Sequence, residues 1–203
     1  MDSFLTGVAA GYGIAIPVGA IGILIIETGI RNGFTAAFLA GAGTATADMV
    51  YATVAVIGGS AVVGAVGSVE QSLRVASGVV LVVIAVAGLL KSRRDAEFSE
   101  VQVPDRGQLA RTYARFLGLT IINPATVVYF AAVIIGLGVA VGMSPSEGAA
   151  FLLGAGLASL SWQTLIAGVG AFAGNRLNAR SRIVITVVGY LVILGLAVVI
   201  LWG

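Results

Sequence analysis

Long uncharged runs, separated by short charged stretches, dominate the pattern of the chain. Crossing about 30 Å of hydrocarbon takes roughly 17–25 helical residues, and runs of about that length recur along the sequence. They cover residues 4–26, 33–58, 73–90, 114–138, 147–172 and 183–202. None alternates apolar and polar residues with a period of two, and a backbone in lipid must satisfy its own hydrogen bonds. The pattern therefore predicts an all-α integral membrane protein with six transmembrane helices.

Composition narrows the functional classes. Of the 203 residues 59% are hydrophobic and only 10% are charged, against roughly 25% charged in soluble domains. The excess of 11 basic over 9 acidic residues is too small to indicate nucleic-acid binding. The chain has no Cys and no His, which excludes thiolate or imidazole metal sites and the usual nucleophile–histidine catalytic sets. We therefore expect a membrane protein without enzymatic activity, metal or cofactor.

The basic residues predict an orientation. If six helices cross the bilayer, ten of the 11 basic residues fall on one side, and Arg74 alone falls on the other. Cytoplasmic loops carry the excess of Lys and Arg in membrane proteins. Both termini are therefore expected outside the cell, with the connector 95–112 in the cytoplasm. The ten residues are Arg31, Lys91, Arg93, Arg94, Arg106, Arg111, Arg115, Arg176, Arg180 and Arg182.

The two halves of the chain resemble each other. Residues 38–43, FLAGAG, recur as FLLGAG at 151–156, and a proline lies within the first run of each half, at Pro17 and Pro124. Three crossings per copy is an odd number, so the second copy must be inverted relative to the first.

This symmetry divides the chain into a first three-helix repeat at 1–94, a linker at 95–112 and a second three-helix repeat at 113–203. Inverted repeats with helices interrupted at corresponding positions are typical of secondary transporters, whose binding site lies near the middle of the bilayer. The repeat therefore predicts a transporter.

The two prolines mark candidate helix breaks. Asn123 and Pro124 place a preferred N-cap residue before a preferred first helical residue, which favours a helix that begins there. Pro17 and Gly19 belong to a cluster of helix-breaking residues in the first run, where a break and a simple kink both remain open. A new helix N-terminus at either position would present free N–H groups suited to a carboxylate.

Asp48 is the only charged residue between Arg31 and Glu70. A carboxylate that deep in hydrocarbon costs about 2.5–3.5 kcal/mol on insertion scales, and such residues usually face a cavity, a partner or a substrate. We expect a functional role, with a structural hydrogen bond to a neighbouring helix as the alternative.

Other polar residues share the face of Asp48. Thr44 lies four residues before it and Tyr51 three after it, which places all three on one side of a helix. The repeat aligns Ser161 and Thr164 with this face in the second half. Polar faces in both copies predict a shared central site.

Glycines at Gly-x-x-x-Gly spacing let transmembrane helices pack closely. With 29 glycines in the chain, however, such spacings arise readily by chance, so the motif alone predicts no particular contact. The spacings are Gly7/Gly11, Gly29/Gly33, Gly138/Gly142 and Gly170/Gly174.

Several of these motifs occur together in one known family. The segment IPVGA at 16–20, GAGTATADMVYA at 41–52 and the pair Asn123-Pro124 resemble the LysE-type amino-acid exporters over essentially the whole chain. The resemblance implies a six-helix protein of the bacterial inner membrane that exports amino acids or other small solutes. Carried over by position, it marks as functional Pro17, Gly19, Asp48, Asn123 and Pro124.

The resulting interpretation is a secondary exporter of amino acids or similar zwitterionic solutes that works by proton antiport. The substrate ammonium would lie near Asp48 and its carboxylate at a half-helix N-terminus, in a monomer or a homo-oligomer. Two alternatives remain: an inorganic cation exporter that uses the oxygen atoms of Asp48, Thr44 and Asn123, and a membrane assembly subunit that transports nothing.

The charge distribution yields a direct test of orientation. A single cysteine introduced at Ser99 should be shielded from an impermeant thiol reagent in intact cells, because the linker is expected in the cytoplasm. A single cysteine at Ser146 should react. The reverse labelling pattern would contradict the predicted orientation.

Overall fold

The computed structural model describes residues 3–16, 19–94, 104–123, 126, 130, 143–177 and 179–202, and every regular element in this part of the chain is helical. The elements are α1 (Ser3–Ala15), α2 (Ala20–Arg94), α3 (Arg106–Ile121), α4 (Pro145–Arg176) and α5 (Ala179–Trp202).

The helices carry their large apolar side chains outward. On α4, Leu153 is 58% exposed and Phe172 is 63% exposed, whereas the buried face consists mainly of Gly, Ala and Ser with Gln163. A helix in water shows the opposite arrangement, with large apolar residues inside. Small buried residues and large apolar outer residues are typical of helices packed together in lipid. The all-helical fold is therefore that of a membrane protein.

Within the described residues, length and composition select helices in five of the six predicted runs, and none in the run 114–138, much of which lies outside the described residues. Two helical stretches, Ala20–Gly58 and Pro145–Arg176, are long and apolar enough to cross a membrane. Ser3–Ala15, Gly78–Leu90 and Ile183–Val198 are shorter apolar helices. The count of six spans stays a prediction.

Helix α2 is continuous in its backbone assignment but cannot be straight. Leu24 and Leu81 belong to one core cluster, whereas a straight helix at about 1.5 Å per residue would hold them roughly 85 Å apart. Gly33 has a φ of 78°, a left-handed conformation that glycine adopts without steric cost. The chain therefore reverses at Gly33, and again between residues 58 and 78.

Helix α4 packs against both α1 and the first part of α2. α1 and the start of α2 run parallel to it, and four close pairs, two on each side of the interruption, have the same separation of 144 residues along the chain. The interruption between Ala15 and Ala20 therefore does not change the direction or register of packing. The pairs are Gly7 with Phe151, Gly11 with Ala155, Gly170 with Ile26 and Gly174 with Ile30.

After Gly33, α2 runs antiparallel to α4. Gly41 lies against Gln163 and Gly148 lies near Val56, so one sequence number rises as the other falls. The last part of α2 runs antiparallel to α5 in the same way. There the contacts are Gly78 with Leu201 and Gly88 with Tyr190.

Some predicted boundaries differ from the structure. The runs 33–58 and 73–90 were expected as separate helices, but helical backbone continues through their connection.

Helix α3 begins at Arg106, inside the predicted linker 95–112. Its start is fixed by a capping box, in which the Gln108 N–H donates to Asp105 Oδ1 at 2.7 Å and the Asp105 N–H donates to Gln108 Oε1 at 3.0 Å. Such a cap satisfies two N–H groups that the helix leaves free.

The close packing on α4 predicts opposite effects for two glycines on the same helix. A Cβ at Gly170 would lie 2.4 Å from the Ile26 carbonyl oxygen, whereas a Cβ at Gly168 would meet nothing within 4 Å. Gly170→Ala should therefore destabilise the protein by about 1–3 kcal/mol. Gly168→Ala should be neutral or slightly stabilising, because alanine favours helix.

Thermal unfolding of both purified variants in detergent, followed by size-exclusion chromatography, measures the difference. Equal melting temperatures for the two variants would contradict the contact.

Candidate functional site

A cavity of about 410 Å³ lies where the interrupted first helix meets α2, α3, α4 and α5. Its size falls in the range of about 300–1,000 Å³ typical of small-molecule sites. Most of its lining is apolar. The polar side chains that line it are those of Thr44, Asp48, Thr120, Asn123, Thr126 and Gln163.

Asp48 is the one ionisable side chain among the described residues that line the cavity. It is only 6% exposed, and the Ser159 hydroxyl donates a hydrogen bond to its Oδ2 at 2.6 Å. Ser159 itself is 1% exposed. No Lys or Arg of the described chain forms an ion pair with Asp48. The carboxylate therefore keeps acceptor capacity in the cavity with no built-in counter-charge.

Two threonines continue the polar surface beside Asp48. The Thr44 hydroxyl donates to the Ala40 carbonyl at 3.2 Å, and the Thr120 hydroxyl donates to the Phe116 carbonyl at 2.8 Å. The two hydroxyl oxygens are 3.3 Å apart. The Thr120 hydroxyl also donates to the Thr44 oxygen over that distance. The protons of both hydroxyls are thus used within the protein, and their remaining lone pairs can accept from a ligand.

The interruption of the first helix opens onto this cavity. Helix α1 ends at Ala15, and the first hydrogen bond of α2 runs from the Ile23 N–H to the Gly19 carbonyl at 3.3 Å. The N–H groups of residues 20–22 thus precede the hydrogen-bonded part of the helix, and these residues line the cavity together with Gly19. A Cβ at Gly19 would meet nothing within 4 Å. A ligand can therefore reach the positive end of α2. Pro17 lies outside the described residues.

A second interruption lies at the end of α3. The helix ends at Ile121, and the Thr126 N–H donates to the Asn123 carbonyl at 3.1 Å. This is the bond expected where a new turn begins at Asn123, which lines the cavity. Pro124 lies outside the described residues.

Tyr51 does not line the cavity. It contacts the end of α3, beside the second interruption. Its hydroxyl donates to the carbonyl oxygen of Ile121, the last residue of α3. Its ring stacks on Phe130 with the ring centres 5.5 Å apart. Carbonyls at a helix end lack partners in their own helix, so Tyr51 satisfies one of them and holds the end of α3 in place.

Ser161 and Thr164 also lie away from the cavity. The Ser161 hydroxyl donates to the Ala158 carbonyl at 2.8 Å and accepts from the Tyr12 hydroxyl at 2.8 Å. Thr164 donates to the Leu160 carbonyl at 2.7 Å. Both side chains join helix surfaces outside the site.

The residues of α4 that do reach the site are Ser159, which contacts Asp48, and Gln163, which lines the cavity with Trp162. Gln163 is 5% exposed and its Oε1 has no hydrogen-bond partner. The repeat alignment could not identify Ser159 and Gln163, because it transfers positions between helices without fixing how far each helix is rotated. In the sequence, Ser159 and Gln163 are marked only by being polar residues in an apolar run.

Across the described residues, no group of three or more His, Cys, Asp or Glu side chains is arranged to hold a metal ion. The cavity instead combines one carboxylate, several neutral oxygen acceptors and the free N–H groups of a helix start. These groups are complementary to a molecule that carries both a positive and a negative charge.

Comparison with known proteins identifies the family of the chain. No curated relative and no solved structure matches the chain. The family model of the LysE type translocator matches residues 13–203, which include Asp48 and both helix interruptions. The chain therefore belongs to the LysE type translocator family of membrane transporters for small solutes.

Proposed function

We propose that the protein exports amino acids or similar small zwitterionic solutes across the bacterial inner membrane in exchange for protons. The observation that carries the proposal is that one cavity is lined both by the Asp48 carboxylate, which has no ion-pair partner among the described residues, and by residues 20–22. These residues form the first turn of α2, whose N–H groups have no acceptor within that helix. An α-amino acid carries its ammonium and its carboxylate on the same carbon atom, so one compact site of this kind can hold both.

The binding geometry follows from the two charges. The substrate ammonium lies at Asp48, where Thr44 and Thr120 supply further acceptor oxygens. The substrate carboxylate lies at the start of α2, where free N–H groups and the helix dipole favour a negative charge. The turn at Asn123 supports the site from the other interrupted helix.

Proton coupling follows from the isolation of Asp48. A buried ion without a partner costs several kcal/mol, and Ser159 supplies Asp48 with only one hydrogen bond. Either a proton or a substrate ammonium removes this cost, but the two cannot occupy the same carboxylate oxygen together. Substrate leaving on one side and a proton entering on the other therefore produce exchange.

Two inverted repeats, residues 1–94 and 113–203 joined by the cytoplasmic linker 95–112, provide a route for alternating access. Residues beside each interruption line the cavity: Ala15, Gly19 and Ala20 in the first half, and Ile122 and Asn123 in the second. The alternating directions of neighbouring helices support several crossings, and the excess of basic residues on one side supports both termini outside.

Replacing the carboxylate tests the coupling. Asp48→Asn keeps the shape of the side chain and mimics its protonated state, so it should abolish proton-driven amino-acid export. Asp48→Glu keeps the charge and moves it by about one methylene, so it should retain partial export with an altered pH optimum. Thr53→Val is the matched control, because Thr53 lies on the same helix and outside the cavity.

Export of labelled amino acids from cells, normalised to the amount of protein in the membrane, measures these effects. Wild-type rate and pH dependence in Asp48→Asn would mean that the carboxylate is structural. Loss of metal tolerance, with amino-acid export unchanged, would favour an inorganic cation as the substrate.

The second interruption has its own test. Asn123→Ala removes a cap that contributes about 0.5–2 kcal/mol at ordinary helix starts, and it should weaken substrate binding more than it lowers expression. Asn175→Ala is the control, since Asn175 is exposed on α4. The apparent affinity for export distinguishes them. Unchanged affinity in Asn123→Ala would make Pro124 a plain kink.

A further inference from the structure

The charges that the cavity can neutralise restrict the substrate further. Asp48 balances one positive charge, and the start of α2 balances one negative charge. The described lining offers no second ionisable side chain. A substrate with a charged side chain would therefore bring a third charge into the cavity without a counter-charge, and buried unpaired charges are strongly disfavoured.

Gln163 adds a directional constraint. Its Oε1 is buried and has no hydrogen-bond partner, a condition that is costly for a polar atom and that few native polar atoms show. The atom lacks a donor, and an ammonium group has N–H donors to spare after one of them has bonded to Asp48. An acidic side chain offers only further acceptors, so it gains no hydrogen bond from the Gln163 oxygen.

The rest of the lining is apolar. We define the apolar wall as the side chains of Ile14, Ile21, Val80, Leu81, Ile166 and Leu196, which line the cavity together with the polar groups. They come from α1, from both ends of α2, from α4 and from α5. A substrate side chain that lies on this wall gains from leaving water only if it is itself apolar.

We infer that the transported solute is an amino acid with an uncharged, apolar side chain. Its ammonium lies between Asp48 and Gln163, its carboxylate at residues 20–22 and its side chain on the apolar wall. This inference rests on the proposed function, and it predicts a selectivity that amino-acid export alone does not.

The first test is a counterflow experiment with the purified full-length protein in liposomes. Labelled leucine, valine, threonine, lysine and glutamate are each measured against their own unlabelled form. Leucine and valine should be taken up at least about tenfold more efficiently than threonine, lysine or glutamate, since a missing or misplaced group in a fitted pocket has effects of this order. Valine and threonine have nearly the same shape, so their comparison isolates the hydroxyl group.

The outcomes distinguish failure of the inference about the side chain from failure of the proposed amino-acid transport. Efficient uptake of lysine, glutamate or threonine, at or above that of valine, would overturn the inference about the side chain and leave amino-acid transport intact. Uptake of none of the five would mean that the proposed function itself has failed, and the inference with it.

The second test changes the wall itself. Val80→Thr keeps the shape and adds a hydroxyl facing the cavity, whereas Val79→Thr makes the same change at an exposed neighbouring position. Val80→Thr should lower the apparent affinity for leucine about tenfold. The apolar side chain of leucine would displace water from the added hydroxyl and would not replace its hydrogen bonds. Val79→Thr should leave it unchanged. Equal affinities in the two variants would show that the side chain does not lie on the wall.

Discussion

A single carboxylate inside a bundle of apolar helices is the constraint on which the rest of the structure depends. Asp48 is buried, it receives one hydrogen bond from Ser159, and no described basic residue pairs with it. In a medium that solvates ions poorly, such a group is tolerated where a cavity admits a compensating proton or cation. In the proposed function a substrate ammonium supplies that charge, and the orphan oxygen of Gln163 is a second acceptor for the same ammonium.

Glycine packing makes this arrangement possible. Helix α1 ends at Ala15 and α2 begins at Ala20, so contacts outside one continuous helix must hold the two pieces in line. The contacts of Gly7 and Gly11 with α4 hold one piece, and those of Gly170 and Gly174 hold the other, in the same register. Because the backbones nearly touch, the first crossing can open at the cavity without losing its direction. The cost of the break is thus offset by packing at both ends.

The sequence was most informative where the physical signal is local. Runs of apolar residues located the helical regions, the pattern around Asn123 indicated the end of α3, and the isolation of Asp48 identified a residue of the cavity. Family membership followed from the same motifs and was confirmed. The boundary between the runs 4–26 and 33–58 predicted a reversal there, but it did not identify Gly33, since one glycine among 29 does not show which of them adopts a positive φ.

The rest depends on how helices face one another. Thr44, Asp48 and Tyr51 share one side of a helix, yet Tyr51 reaches α3 and not the cavity. In the second half, Ser159 and Gln163 point to the site where Ser161 and Thr164 were expected. A rotation of a few tens of degrees moves a side chain from one neighbour to the next, and it is set by backbone contacts between distant glycines. No single helix contains that information.

The central claim is that substrate and proton compete for Asp48. The most direct measurement is the number of protons released when leucine binds the purified protein, obtained by titration calorimetry in buffers of different ionisation enthalpy over a series of pH values. At pH values where Asp48 is protonated before binding, the account predicts that each bound leucine releases close to one proton. It also predicts that Asp48→Asn binds without release. Leucine binding with no proton release at any pH, or equal release by Asp48→Asn, would contradict the account.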